Sequence, residues 1–200
     1  MGEGVLAMIK ALIGAGGFAQ DVKGMMGLDT LCFVGEEYYH GEKNILPLSE
    51  FDPDKYEIVV TVADPKLRRH IVENMPEGTR YFKYIHPSAQ ILGDVEIGEG
   101  AIICANCIVV HGTKIGKHCH LNHGTIIGHT VTAGDYLTTA PGTKIMGDNI
   151  IGDGVYFGTN AATKQKIKIV SNVTVGLNAG VVKNLNEPGV YIGTPATRIK

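Results

Sequence analysis

Five of the eight histidines, His111, His118, His120, His123 and His129, fall within one short stretch of the chain. An imidazole titrates near neutral pH, so one of them can take and return a proton, and three that converge can hold a metal ion. A second chemical feature lies near the start. Gly14-Ala15-Gly16-Gly17-Phe18-Ala19 fits G-x-G-x-x-A, a turn whose backbone N–H groups, with a helix N-terminus behind them, hold a diphosphate. Glu36 follows about 20 residues on, where an acid can bind a ribose hydroxyl. Alone, the pattern suggests a dinucleotide. About 80 residues, however, make only half of a dinucleotide fold, so the diphosphate of a nucleotide-linked sugar fits better. The competing reading is a glycine turn with a purely structural role. Cys104-x-x-Cys107 looks like half of a metal site, but Cys107 and Cys119 share a register of small inward residues, and packing explains them.

The elements that must position these groups come in two kinds. Residues 8–84 read as a small α/β unit. Strands are expected over 8–13, 31–34, 57–62 and 80–85, and a helix over 18–26 that ends at Gly27. A second helix runs to about residue 75, with Asp64 as N-cap and Pro65 in its first position. Strand–helix alternation implies a parallel sheet.

From Ile85 the period becomes six. Every sixth residue from Ile85 to Val181 is Val, Ile, Leu or Phe in 14 of 17 cases, although these types make up only 56 of the 200 residues. Gly follows at 98, 116, 128, 134, 152, 158 and 176, and two positions before the aliphatic the side chain is small or β-branched, as at Ala101, Cys107, Thr113, Cys119 and Thr125. Each hexad reads as one short strand and one corner of a triangular coil. The aliphatic fills the interior and glycine relieves the turn. Stacked coils then pair their strands in parallel and build a core that no single repeat buries. An ordinary sandwich with accidental spacing is the competing reading.

Bulk properties exclude several classes. A formal net charge of −2 argues against a nucleic-acid coat or a polybasic membrane surface. No apolar run approaches a membrane span, and the first residues make a poor signal peptide. Whether residues 1–6 belong to the native chain is left open by the sequence. Four cysteines without a secreted-type framework point to a reducing cytoplasm.

The order of motifs is more specific than any one of them. A strand, Gly-Ala-Gly-Gly and a helix are followed by His86-Pro87-Ser88-Ala89, the hexads, and Gly193-Thr194-Pro195-Ala196. From about Met8 onward the chain resembles the sialic acid O-acyltransferase and UDP-4-amino-sugar N-acetyltransferase family (NeuD/PglD-like). The resemblance implies a Rossmann-like domain over 1–84 that binds a nucleotide sugar. It also implies a left-handed parallel β-helix over 85–200 with a C-terminal closing segment, and a homotrimer with acetyl-CoA, the co-substrate, between neighbouring β-helices. It makes His129 the general base. Asn122 orients the acceptor, and the Gly147 N–H stabilises the oxyanion. Thr159 and Leu177 line the CoA arm. Lys183, Arg198 and Lys200 offer charges for the CoA phosphates, with a solvated basic tail as the competing reading. Gly16, Gly17, Phe18, Gly35, Glu36 and Ala63 surround the nucleotide sugar. His129, two residues after the inward Ile127, is expected to point out of the coil.

The chain also departs from that family. An acid usually follows the base, and here the residue is Thr130; the family's second histidine, near acetyl-CoA, maps to Thr138. The leading expectation is acetyl transfer from acetyl-CoA to a 4-amino-sugar on UDP or dTDP, with sugar O-acetylation as the nearest variant. A second class is a metalloprotein similar to γ-type carbonic anhydrases, suggested by His118 and His123 five apart. The third ligand's position there holds Phe82, and no metal is expected. A third reading, favoured by Thr130 and Thr138, is a weakly catalytic scaffold that binds sugar nucleotides.

Overall fold

The computed structural model describes residues 7–200; the question about residues 1–6 lies outside them. Strand β1 (Ile9–Ile13) runs into a turn at Gly14 and helix α1 (Gly17–Met26). Strands β2 (Leu31–Val34), β3 (Ile45–Pro47) and β4 (Tyr56–Val60) follow, then helix α2 (Pro65–Glu73) and strand β5 (Arg80–Tyr81). They form one parallel sheet in the order β3-β2-β1-β4-β5. The α2 start is as the sequence predicts: the Asp64 side chain accepts the Leu67 N–H at 2.8 Å, and Pro65 opens the helix. Alternation along β1, β2 and β4 sends Ala11, Ile13, Phe33, Ile58 and Val60 to one side, against Ile71 and Val72 of α2. Leu12, Cys32 and Val59 go to the other, against Val22 of α1.

The expected strand over 80–85 is two strands. Arg80–Tyr81 pairs with β4, whereas β6 (Tyr84–Ile85) pairs with Ile102 and Ile103 in the second half of the chain. Between them Phe82 is buried in the cluster that joins the halves. Strand β3 is absent from the sequence reading. It is short and lies at the sheet edge, where Pro47 removes no ladder bond.

From Tyr84 the chain is a parallel β-helix of three sheets. Partners in successive coils lie 18 residues apart, as in Ile108↔Ile126↔Lys144. In each two-residue strand the second side chain points in: Ile103, Val109, Leu121, Ile127, Ile145, Ile151, Phe157, Val175 and Val181 are all buried, with Cys107, Cys119, Val131 and Ala161 between them. Burying each large aliphatic contributes about 1.5–3 kcal/mol, so the stack is held by its interior. The first residue of each strand points out. The docking face carries Tyr84, Ile102, His120, Thr138, Tyr156 and Thr174; a second face carries Gln90, Ile108, Ile126, Lys144, Ala162 and Gly180; a third carries Glu96, Lys114, Thr132, Ile150 and Lys168.

The corners correct one expectation. The glycines that follow the aliphatics do not sit at positive φ. They are required because coils stack closely: a Cβ on Gly116 would meet the Gly134 carbonyl carbon at 2.6 Å. The left-handed residue lies two positions further on and recurs every six, at Gly100, Asn106, Gly112, His118, Gly124, Thr130, Tyr136, Gly142 and Asp148. Gly and Asn take this conformation at little cost, but Thr130 and Tyr136 do not.

The parallel sheet unit packs on the docking face. Leu12, Val22 and Val59 bury Ile102 and Cys104. Arg68 of α2, fully buried, reaches across. It donates to the carbonyls of Val62 (2.7 Å), His118 (2.8 Å) and Tyr136 (2.9 Å) and to the Thr138 hydroxyl (2.8 Å). Burial pulls its guanidinium down to about 10. No helix among the described residues is long and apolar enough to cross a membrane.

Candidate functional site

The structure sorts the five histidines onto three corners and one face. His118 and His120 are buried where the sheet unit docks. The His120 Nε2–H donates to the Val60 carbonyl at 2.9 Å, and its ring lies 5.0 Å from that of Phe18; His118 packs between Tyr81 and Tyr136. Burial keeps both neutral, holding His118 at about 4 and His120 well below its ordinary range. His123 is on the corner between the docking and second faces, its Nδ1 2.7 Å from the Asn122 Oδ1. His118 and His123 therefore sit on different corners and do not converge. Among the described residues no three His, Cys, Asp or Glu side chains are grouped to hold a metal. The cysteines are buried, and burial raises Cys104 and Cys119 to about 12 and Cys107 to about 11, so they remain thiols that fill space.

His111 and His129 occupy the remaining corner, between the second and third faces. Their rings stack 5.8 Å apart at an interplanar angle of 13°, one coil above the other. The His129 side chain is 43% exposed. Strict alternation from the inward Ile127 would turn it into the core; it points out because Gly128 begins the corner and the chain changes direction there. Its Nδ1 lies 3.3 Å from the Thr130 Oγ1 and 3.7 Å from Asp148 Oδ1. Asp148 is the residue stacked on Thr130 in the next coil, and its N–H donates to the His129 carbonyl at 2.9 Å. Gly147 lies against the other edge of the ring, where a Cβ would overlap His129 Nε2 and Cε1. The missing side chain thus makes room for the imidazole itself. Gly147 has no recorded acceptor for its N–H among the described residues. In the tautomer in which Nδ1 donates to Thr130 Oγ1, Nε2 keeps its lone pair.

The other β-helix residues singled out from the sequence fall into two further places. Asn122, Thr159 and Leu177 lie along the corner on the opposite edge of the second face; Leu177 is 70% exposed. The Asn122 Oδ1 is taken by the His123 N–H and ring, so it does not reach His129. Lys183 continues the His129 corner. Thr138, expected beside acetyl-CoA, is buried on the docking face, where its hydroxyl donates to the Ala63 carbonyl at 3.0 Å and accepts from Arg68. It joins the two halves of the chain.

At the glycine turn a cavity of about 730 Å³ is lined by Gly14, Gly16, Gly35, Glu37, Val62 and Leu67, among others. No side chain caps α1, so its first N–H groups face outward unpaired by a cap. Two acids, Glu37 and Glu42, stand on the cavity wall. Glu36 is occupied instead, its Oε1 accepting the Ser49 N–H at 3.1 Å. A Cβ on Gly35 would meet the Glu37 carboxylate at 2.8 Å, so this glycine lets the acid fold over the strand end. Gly17 starts α1 with open space around it. Phe18 and Ala63 face the β-helix and not the cavity. Arg198 and Lys200 line a separate cleft of about 790 Å³ between the α2 start and Tyr156 and Thr174 of the docking face.

This geometry defines a class: a stacked-hexad protein with a half-exposed imidazole on an open corner and a glycine turn with an uncapped helix on a separate sheet unit. No family profile matches the chain. It is 30% identical over 147 residues, 73% of its length, to a GDP-perosamine N-acetyltransferase of Escherichia coli O157:H7, and spans 60% of that relative. Two solved structures superpose over 96% of this chain and 100% of their own. The acetyltransferase domain of PglB from Neisseria gonorrhoeae FA1090, in complex with acetyl coenzyme A, gives a TM-score of 0.87 at 25% identity. WeeI from Acinetobacter baumannii AYE gives 0.88 at 26%. The chain is thus similar to acyltransferases, among them a GDP-perosamine N-acetyltransferase and the acetyltransferase domain of PglB.

Proposed function

We propose that this protein transfers the acetyl group of acetyl-CoA to the amine of a nucleotide-linked 4-amino-sugar. The observation that carries the reading is His129, half-exposed, with Nδ1 engaged by Thr130 and Nε2 free beside Gly147. Nε2 takes the proton that the amine loses as it attacks the thioester carbonyl. The Gly147 N–H donates to the oxyanion of the tetrahedral adduct. As that adduct collapses, the C–S bond breaks and His129 returns the proton to the departing thiolate. Base assistance of this kind contributes about 10²–10⁴ in rate.

Residues 7–84 act as a Rossmann-like unit. Its glycine turn and uncapped α1 hold the diphosphate, and Glu37 binds a sugar or ribose hydroxyl in the adjoining cavity. Residues 85–200 act as a left-handed β-helix. The working form is a homotrimer packed through the second face. Two observations support this. Ile108, Ile126 and Ala162 give that face more apolar surface, beside Gln90 and Lys144, than the third face, which carries Glu96, Lys114 and Lys168 with Thr132 and Ile150. In addition, His129 and Lys183 lie along one edge of that face while Thr159 and Leu177 lie along the other. Pairing of copies brings one edge of each together and forms the groove for the CoA arm. Four buried thiols suit a cytoplasmic setting.

Thiol release from acetyl-CoA, measured across a panel of nucleotide-linked amino-sugars, tests the reading. Release that requires the 4-amino group, with an N-acetylated product by mass, is expected. No release with any member, or equal release with 4-hydroxy sugars, contradicts it.

A further inference from the structure

The residue after the imidazole is a threonine, which carries no charge to steady an imidazolium. The nearest acid comes from the next coil. Asp148 stands 18 residues after Thr130, and both adopt left-handed backbone at this corner, with φ of 59° and 57°. The Asp148 N–H is bound to the His129 carbonyl, which fixes the aspartate over the histidine whose ring it faces. Its carboxylate oxygen lies 3.7 Å from His129 Nδ1, and its side chain is 36% exposed. The imidazole is thus bounded by His111 below, Gly147 at Nε2, and Thr130 with Asp148 at Nδ1. Lys166, one coil beyond Asp148, is the next charged residue in that column.

We propose that Asp148 is the positioning residue for His129, an acid supplied from the neighbouring coil that keeps the proton on Nδ1 and leaves Nε2 to act as base. A carboxylate beside Nδ1 favours the Nδ1–H tautomer, whereas a free imidazole in water prefers Nε2–H. Once Nε2 takes a proton, the carboxylate attracts the imidazolium at close range, which favours the charged transition state over the neutral ground state. Thr130 Oγ1 shares the Nδ1–H and holds the ring between the two rungs. A tautomer error costs an imidazole base far more than a small loss of binding does.

The inference rests on His129 being the base, and the test separates the two. Asp148→Asn keeps shape and removes charge. It is expected to lower kcat at least tenfold with little change in the KM for acetyl-CoA, and to shift the neutral His129 ring toward Nε2–H in nitrogen-15 NMR spectra. Thr130→Asp in the Asp148→Asn background returns the acid to the adjacent position, where an aspartate tolerates left-handed backbone, and is expected to recover most of kcat and the Nδ1–H tautomer. His129→Ala is measured in parallel. If His129→Ala turns over like the wild type, the base reading fails and this inference with it. If His129→Ala is inactive while Asp148→Asn keeps wild-type kcat and tautomer, the positioning role alone is overturned. The NMR readout needs no activity, so a variant with poor turnover still decides the matter.

Discussion

Arg68→Met probes how the two halves of the chain are held together. Arg68 is buried without a carboxylate among its hydrogen-bond partners, which are the Val62, Ala63, His118, Tyr136 and Leu137 carbonyls and the Thr138 hydroxyl. Two effects compete. Removing a buried charge relieves a desolvation cost, visible in the lowered guanidinium at about 10, and replacing a whole buried ion pair by apolar groups is often neutral. Here, however, the partners are main-chain acceptors that remain behind. Each stranded acceptor costs about 1–3 kcal/mol. Three or four of them, partly rescued by relaxation and water, outweigh the relief and put the net loss at about 3–5 kcal/mol. Urea unfolding followed by tyrosine fluorescence and circular dichroism measures it. Hydrogen exchange should show the loss concentrated in amides of residues 8–84, while the coil interior stays protected. Arg68→Lys is expected to fail nearly as badly, because one ammonium cannot serve acceptors spread around a planar fork. A Met variant as stable as the wild type, or more stable, would refute the reasoning.

Three further outcomes follow from single positions. Gly147→Ala places a methyl where His129 Nε2 and Cε1 lie, so turnover should fall more than tenfold while the melting temperature changes little; a crystal structure with the ring unmoved would contradict this. Thr130→Asn replaces a β-branched residue at φ 57° by one that accepts left-handed backbone, and should raise stability by about 1 kcal/mol; calorimetry checks the sign. His118 is held at about 4 by burial, so between about pH 6.5 and 4 the unfolded chain takes up a proton that the folded chain refuses. Stability is fullest above that window and is lost as pH falls through it, by about 3 kcal/mol from this group. Denaturant midpoints at stepped pH should lose that part of the slope in His118→Phe.

The coil interior was legible because its period is set by geometry alone: each inward position from Ile103 to Val181 repeats at six, and a slip of one would turn it to solvent. What lay between the coils was not. Gly116 and its counterparts were rightly singled out for the wrong reason, since their need arises from the coil above and not from their own backbone. The true left-handed column was hidden where Thr130 and Tyr136 interrupt its run of Gly, Asn, His and Asp, since neither advertises positive φ. Asp148 itself could have been found by counting one coil on from Thr130. Glu36 and Glu37 are adjacent acids, and only the Ser49 N–H decides which one is occupied. Nothing local in Thr138 shows that Arg68, 70 residues away, claims its hydroxyl.

The central claim is that one working site draws on two copies of the chain. The glycine turn belongs to a unit packed on the docking face, whereas His129 lies on the corner between the other two faces. Two disabled variants test this together. His129→Ala removes the base, and Gly17→Asp places a carboxylate in open space at the α1 start, where a diphosphate would be repelled. Each alone should be inactive. Unfolded together in equal amounts and reassembled, random mixing should give sites with both parts intact, recovering up to about a quarter of wild-type thiol release. Recovery near that level is the predicted result. A mixture as inactive as its components, with mixed oligomers shown to have formed, would mean that each site is built within a single chain and would contradict the account.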